Sequence, residues 1–134
     1  MDAGISASLS GLNAASNRLA VSANNIANIN STLKTENGQV TKENFVPSKV
    51  NDVSQGGLGG VKSLVSSDSS SDFLSAFASS ASSTADNNNV VFGSNVDLAT
   101  ETVNQIVAKN AYKANLVTLE AQNKIAQETL DIVS

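Results

Sequence analysis

The stretch VSANNIANIN, Val21–Asn30, decides how the first part of the chain is read. Four of its ten residues are Asn, whose amide competes with the helix backbone, yet Ile26 and Ile29 sit among them. Working back toward the N-terminus, Ile5, Leu9, Leu12, Leu19, Ala23 and Ile26 recur in steps of four and three, with Ser16 in the one gap. That heptad stripe predicts a helix over about residues 3–31, with the asparagines on its last turns. Gly11 lies inside it and lowers local helix stability by roughly 1 kcal/mol relative to Ala.

Arg18 is the only charge between Ala3 and Leu33. A solvent-facing helix carries a charged outer face. Here that face is Ser, Asn and Ala, side chains that let another helix come close. The other end of the chain behaves differently. From Asn95 to Ile132 there is no Gly and no Pro. One apolar face includes Val96, Val103, Ile106, Val107, Val117 and Ile125, and the opposite face Leu98, Tyr112, Leu116, Leu119 and Leu130. Lys109, Lys113, Glu120, Lys124 and Asp131 form a charged strip between them. Glu120 and Lys124 are a favourable i, i+4 pair. A helix apolar on two faces must be covered on two sides, and the first helix covers only one.

Three zones follow: a helix over 1–33, a short insert over 34–94 and a helix over 95–134. In the insert, GQV (38–40) and NFVPSKV (44–50) suggest short strands, Pro47 pushing the second toward a sheet edge. QGGLGG (55–60) is a flexible turn. The Ser-rich run from Ser63 to Asn89 is low in complexity, with Phe73, Leu74 and Phe77 able to form one amphipathic turn. The fold expected is mainly α: long terminal helices packed as an antiparallel coiled-coil hairpin around a small, irregular, β-containing, Ser-rich middle. Ile5, Leu9, Leu12, Leu19 and Ile26 are expected to pack within the chain against Val103, Ile106, Val117 and Ile125.

Composition removes most chemistry. The net charge of −4 disfavours a non-specific grip on nucleic acid and on an acidic membrane. There is no Cys and no His, so thiol chemistry, the commonest general base and the usual zinc ligands are absent. GGLGGVKS (56–63) has the wrong Gly–Lys spacing for a phosphate loop. STLK (31–34) lacks the companion boxes of a Ser-x-x-Lys enzyme. DSSSD (68–72) lacks the Gly and distal Glu of a calcium loop. The expectation is no enzyme, no metal and no cofactor. No stretch is apolar enough for direct membrane insertion, and the start of the sequence has no signal-peptide pattern.

Two segments carry a resemblance. GLNAASNRLAVSANNIANINST, Gly11–Thr32, resembles the N-terminal signature of bacterial flagellar axial proteins, the rod and hook subunits, centred on Ala23-Asn24-Asn25-Ile26-Ala27-Asn28 with Asn30 following. That pattern usually ends Asn-Thr-x-Gly-(Phe/Tyr), whereas Asn30-Ser31-Thr32-Leu33-Lys34 lacks the Gly and the aromatic. Asn95–Ile132 resembles the C-terminal segment of the same family, centred on Ala111-Tyr112-x-Ala114-Asn115. Asn110 and Lys113 stand where Arg and Glu are common. The resemblance implies a non-catalytic subunit of the flagellar basal-body rod, exported through the flagellar type III apparatus without a cleaved signal. It implies assembly with itself and other axial subunits into a helical tube spanning the periplasm. The short insert favours a proximal-rod subunit; a divergent, shortened hook or rod paralogue is the alternative within the family. Asn24, Asn25, Asn28, Tyr112, Asn115, Leu116, Leu119 and Leu130 are then expected at subunit contacts. Outside the family, the rival is a helical adaptor or export-chaperone-like module gripping one partner.

Overall fold

A computed structural model describes residues 2–31, 33–36, 39–40, 45–57, 59–67, 91–92, 94 and 96–133. Two helices dominate: α1, Asp2–Ala27, and α2, Leu98–Val133. Between them lie β1 (Leu33–Glu36), β2 (Gln39–Val40), β3 (Ser48–Ser54), β4 (Val61–Ser67) and β5 (Val91–Phe92). β1 is the middle strand of a small antiparallel sheet ordered β2-β1-β5, and β3 and β4 form a separate antiparallel hairpin.

The Asn-rich stretch is helical through Ala27 and turns at Asn28–Asn30. The Asn28 N–H is shared between the Asn24 and Asn25 carbonyls at 3.2 Å, a bifurcated bond common where helices end. α2 starts on an N-cap. The Asp97 carboxylate accepts from the Ala99 N–H at 2.8 Å, the Thr100 N–H at 3.4 Å and the Thr100 hydroxyl at 3.1 Å. These donors, the Ala99 N–H first, hold the Asp97 carboxyl below its ordinary value.

The helices run antiparallel in a heptad register. A side chain added at Gly4 would meet Gln122, and one added at Gly11 would meet Asn115; Asn25 bonds Glu101. Seven residues forward on α1 are therefore seven back on α2. The buried and half-buried line on α1 is Gly4, Ser8, Gly11, Ala15, Arg18, Ser22 and Asn25. On α2 it is Glu101, Gln105, Ala108, Asn115, Leu119, Gln122 and Ala126. Both lines step by alternating fours and threes, α2 having Tyr112, 43% exposed, in the open position.

The expected apolar stripe is thus not the seam. It lies one residue further on, about 100° around the helix. Leu12 is buried and Ile5 and Ile26 are half-buried, but Leu9 and Leu19 are exposed. On α2, Val103, Ile106, Val117 and Ile125 are all exposed rather than packed against α1. Large residues at the seam would hold the helices apart. Gly4 and Gly11 leave room for the Gln122 and Asn115 amides, to which an added Cβ would approach within 2.8 and 2.7 Å.

The hairpin also departs from expectation. Its second strand occupies Val61–Ser67, the first residues of the Ser-rich run, paired in register from Ser48↔Ser67 to Ser54↔Val61. β3 begins directly after Pro47, whose missing N–H costs the sheet nothing there. The turn uses Gly57, Gly59 and Gly60 at positive φ and closes with Gln55 N–H to Gly60 C=O at 2.9 Å. Phe73, Leu74, Phe77 and the Asp68–Asp72 cluster lie outside the described residues.

Candidate assembly surfaces

The hairpin lies along α1, fixed at three points. At its base the buried Asn25 amide donates to the Ser48 carbonyl at 2.9 Å and accepts from the Ser48 N–H at 3.0 Å. It thereby stands in for a neighbouring strand. Its second amide hydrogen goes to Glu101 Oε1 at 2.7 Å. Midway, Arg18 pairs with Asp52, which also accepts from the Ser63 hydroxyl at 2.7 Å. At the tip the Ser10 hydroxyl accepts from the Val61 N–H at 3.1 Å and donates to the Ala7 carbonyl at 2.7 Å. Gly60 approaches so closely that a Cβ would strike Ser10. From Ser10 to Asn25 is about 22 Å of helix at ~1.5 Å per residue. Ser48 to Ser54 is about 20 Å of strand at ~3.3 Å per residue. The lengths match, so both ends seat without bending the hairpin.

This arrangement gives the asparagines separate tasks. Asn25 is engaged within the chain, joining α1, β3 and α2, rather than presented to a neighbour. Asn28 donates to the Asn24 carbonyl at 2.9 Å and accepts from the Ser31 hydroxyl at 3.2 Å. The Asn24 side chain is exposed. Asn115 is half-buried against Gly11, its amide donating to the Ala111 carbonyl at 2.9 Å, and Leu119 is half-buried on the same seam. Tyr112, Leu116 and Leu130 are exposed, Leu130 at 72%. Two contributors to the junction, Ser10 and Ser22, were not singled out from sequence. Ser22 is buried and donates to the Glu101 carbonyl at 2.9 Å. Their signal was spacing: Ser10 lies eight residues before Arg18, and Ser22 lies four after Arg18 and three before Asn25, steps that return side chains to one helix face.

What remains outside is bulky and aliphatic. Val103, Ile106, Val107, Val117 and Ile125 line one side of α2, with Val117 63% exposed. Leu116 and Leu130 lie on another side, and Leu9 and Leu19 on α1. Among the described residues, the buried apolar ones, by contrast, are Leu12, Ala14, Ala15 and Ala108. Scattered exposed leucines are ordinary in a soluble domain, but contiguous rows of them mark contact surfaces.

Residues 5–32 match the family described as flagella basal body rod protein, and residues 83–132 match flagellar basal body rod FlgEFG protein C-terminal. The two matches lie at opposite ends in the order of the axial proteins and together take in more than half of the chain. The chain belongs to the flagellar basal body rod family. That family is structural and non-enzymatic. No curated protein matches the chain. Among the described residues, no helix of this rod-family chain is long and apolar enough to cross a membrane.

Proposed function

We infer that the chain is a rod subunit that polymerises through the outer faces of its two helices. One observation carries the reading: the seam that joins α1 to α2 is built mainly from small and amide residues, with Leu119 its one large aliphatic, while the rows of Val, Ile and Leu on both helices face outward. An α2 with apolar residues on more than one side needs neighbours. The contacts proposed are Val103, Ile106, Val117 and Ile125 together with Tyr112, Leu116 and Leu130 of α2, and Leu9 and Leu19 of α1. Because these surfaces differ from one another, the joint is head-to-tail, and such joints grow into open helical assemblies when they do not close. Other axial subunits are the natural neighbours at each end. Family membership supports export through the flagellar type III apparatus and a place in the periplasm-spanning part of the rod. The small size of the insert supports a proximal position.

The test is a double charge on one outer row, Val103→Asp with Val117→Asp. Both side chains are more than half exposed, so the dilute chain keeps its helical circular-dichroism signal, with stability changing by no more than about 0.5 kcal/mol per site. Sedimentable polymer, and incorporation into basal bodies in a strain carrying the variant, should be lost. Normal incorporation of the variant would remove the basis of the reading. A discrete one-to-one complex of the wild-type chain, with no polymer, would favour the adaptor alternative.

A further inference from the structure

The β3–β4 hairpin leaves one strand position vacant beside the helices. In an antiparallel ladder the N–H and C=O of a residue point to the same side, and the side alternates along the strand. Ser48 directs both groups at the Asn25 amide. Val50 and Asp52 therefore present theirs on the same outer edge of β3, away from β4. Among the described residues nothing pairs with those backbone groups. Beside this edge lies a cleft of about 340 Å³, walled by Val50, by Val21 of α1 and by Thr100, Asn104 and Val107 of α2. Three charged residues border it: Arg18 is paired with Asp52, Glu101 is bonded by Asn25, and Lys49 is likewise engaged; with Asp52 their charges sum to zero. It is thus a slot without net charge, with the unused Val50 peptide groups on one wall and two valines and two polar side chains on the others. A free peptide edge is satisfied by another peptide backbone more completely than by any small molecule.

We propose that this slot takes an extended stretch of a second copy of the chain, the one that carries β5, which adds to β3 as an antiparallel or parallel strand. β5 is an end strand of its own sheet, with β1 on one side and no described partner on the other. The run 87–96 around it contains no charged residue, as a neutral slot requires. Each copy thus offers both an open slot and an open strand, in different places, so the contact propagates from copy to copy instead of closing on itself. The proposal rests on the polymerising reading above and adds a backbone joint to its side-chain contacts.

Amide hydrogen exchange tests it on the full chain, with residue-resolved detection in dilute solution and after association at high concentration. The Val50 N–H should exchange rapidly in the dilute chain and at least tenfold more slowly after association. The Asn51 N–H, which points into the hairpin, should be protected in both states. Val50→Pro should weaken association without exposing the Asn51 and Val53 amides, because proline there removes only the outward donor. Association with Val50 still exchanging freely would overturn the strand joint and leave the helix-face reading standing. Protection of Val50 already in the dilute chain would also overturn it, since the slot would then be filled from within. No association at any concentration would remove the helix-face reading and this proposal together.

Discussion

The inside and the outside of the helix pair invert the usual arrangement. The inner seam is Gly4, Ser8, Gly11, Ala15, Ser22 and Asn25 against Ala108, Asn115, Leu119 and Gln122. The outer rows are Leu9, Leu19, Val103, Ile106, Val117, Ile125 and Leu130. In an ordinary bundle the large aliphatics would face inward. Here the monomer is held by close approach and buried amides, and the area with the larger hydrophobic yield faces outward. The lesson is one of allocation. Hydrogen bonds and glycine contacts specify how one chain folds on itself, and apolar area remains for what comes next.

Removing Asn25 should break the inner half of this comparison most severely. Asn25→Leu buries an apolar side chain in place of the amide and leaves the half-buried Ser48 N–H and C=O and Glu101 carboxylate without their partner. The expected loss is about 2–4 kcal/mol of stability, at ~1–3 kcal/mol per unsatisfied buried group with partial relaxation. Urea unfolding measures it, and a change under about 0.5 kcal/mol would mean that the clamp is ornamental. Next comes the seam itself. Gly11→Leu forces a branched side chain against the Asn115 amide and should cost about 1–3 kcal/mol, despite the better helix propensity of Leu. Ser16→Leu, on an exposed position of the same helix, should be close to neutral and serves as its contrast.

Much of this could be read from the sequence, and the failures have definite causes. Heptad spacing located α1, and an uninterrupted run without Gly or Pro carrying apolar residues at helical period located α2. The same signal pointed to the wrong face. Gly, Ser and Ala are nearly silent on any hydrophobic scale, so the small seam of Gly4, Ser8, Gly11 and Ala15 was overshadowed by the leucines one position later. Asn25 was recognisable as a helix-end amide, but its partner Ser48 lies across the insert and no local pattern announces it. β4 was hidden for a related reason: Leu64 and Val65 sit in a serine-rich setting that resembles a linker, and only pairing with β3 makes them a strand.

Smaller effects refine the comparison at the junction and at the helix start. Arg18→Ala removes the pair with Asp52, which is partly open to solvent. The expected loss is ~0.2–1 kcal/mol, shrinking as salt is added. A loss that ignored salt would assign the effect to packing of the Arg18 stem. The smallest change concerns Asp97. Its folded carboxyl titrates below the unfolded one, so its contribution is fully present above the ordinary carboxylate range and fades as pH falls through the folded value. Asp97→Asn keeps an acceptor at the cap and should flatten that acid limb of the stability curve while leaving neutral pH little changed. An unaltered acid limb in a denaturant titration series would place the pH dependence on other carboxylates.

The modest apolar burial has a calorimetric consequence. Among the described residues, the fully buried apolar set is only Leu12, Ala14, Ala15 and Ala108, so unfolding the helix pair newly exposes few large aliphatic side chains. The heat-capacity increment of unfolding scales with newly exposed apolar area, and backbone exposure subtracts from it. The helix pair should therefore contribute an unusually small increment for its length, and a correspondingly flat share of the stability curve. Assembly, which covers the outer rows, is the step that should carry the large negative heat-capacity change and hence the steep dependence on temperature.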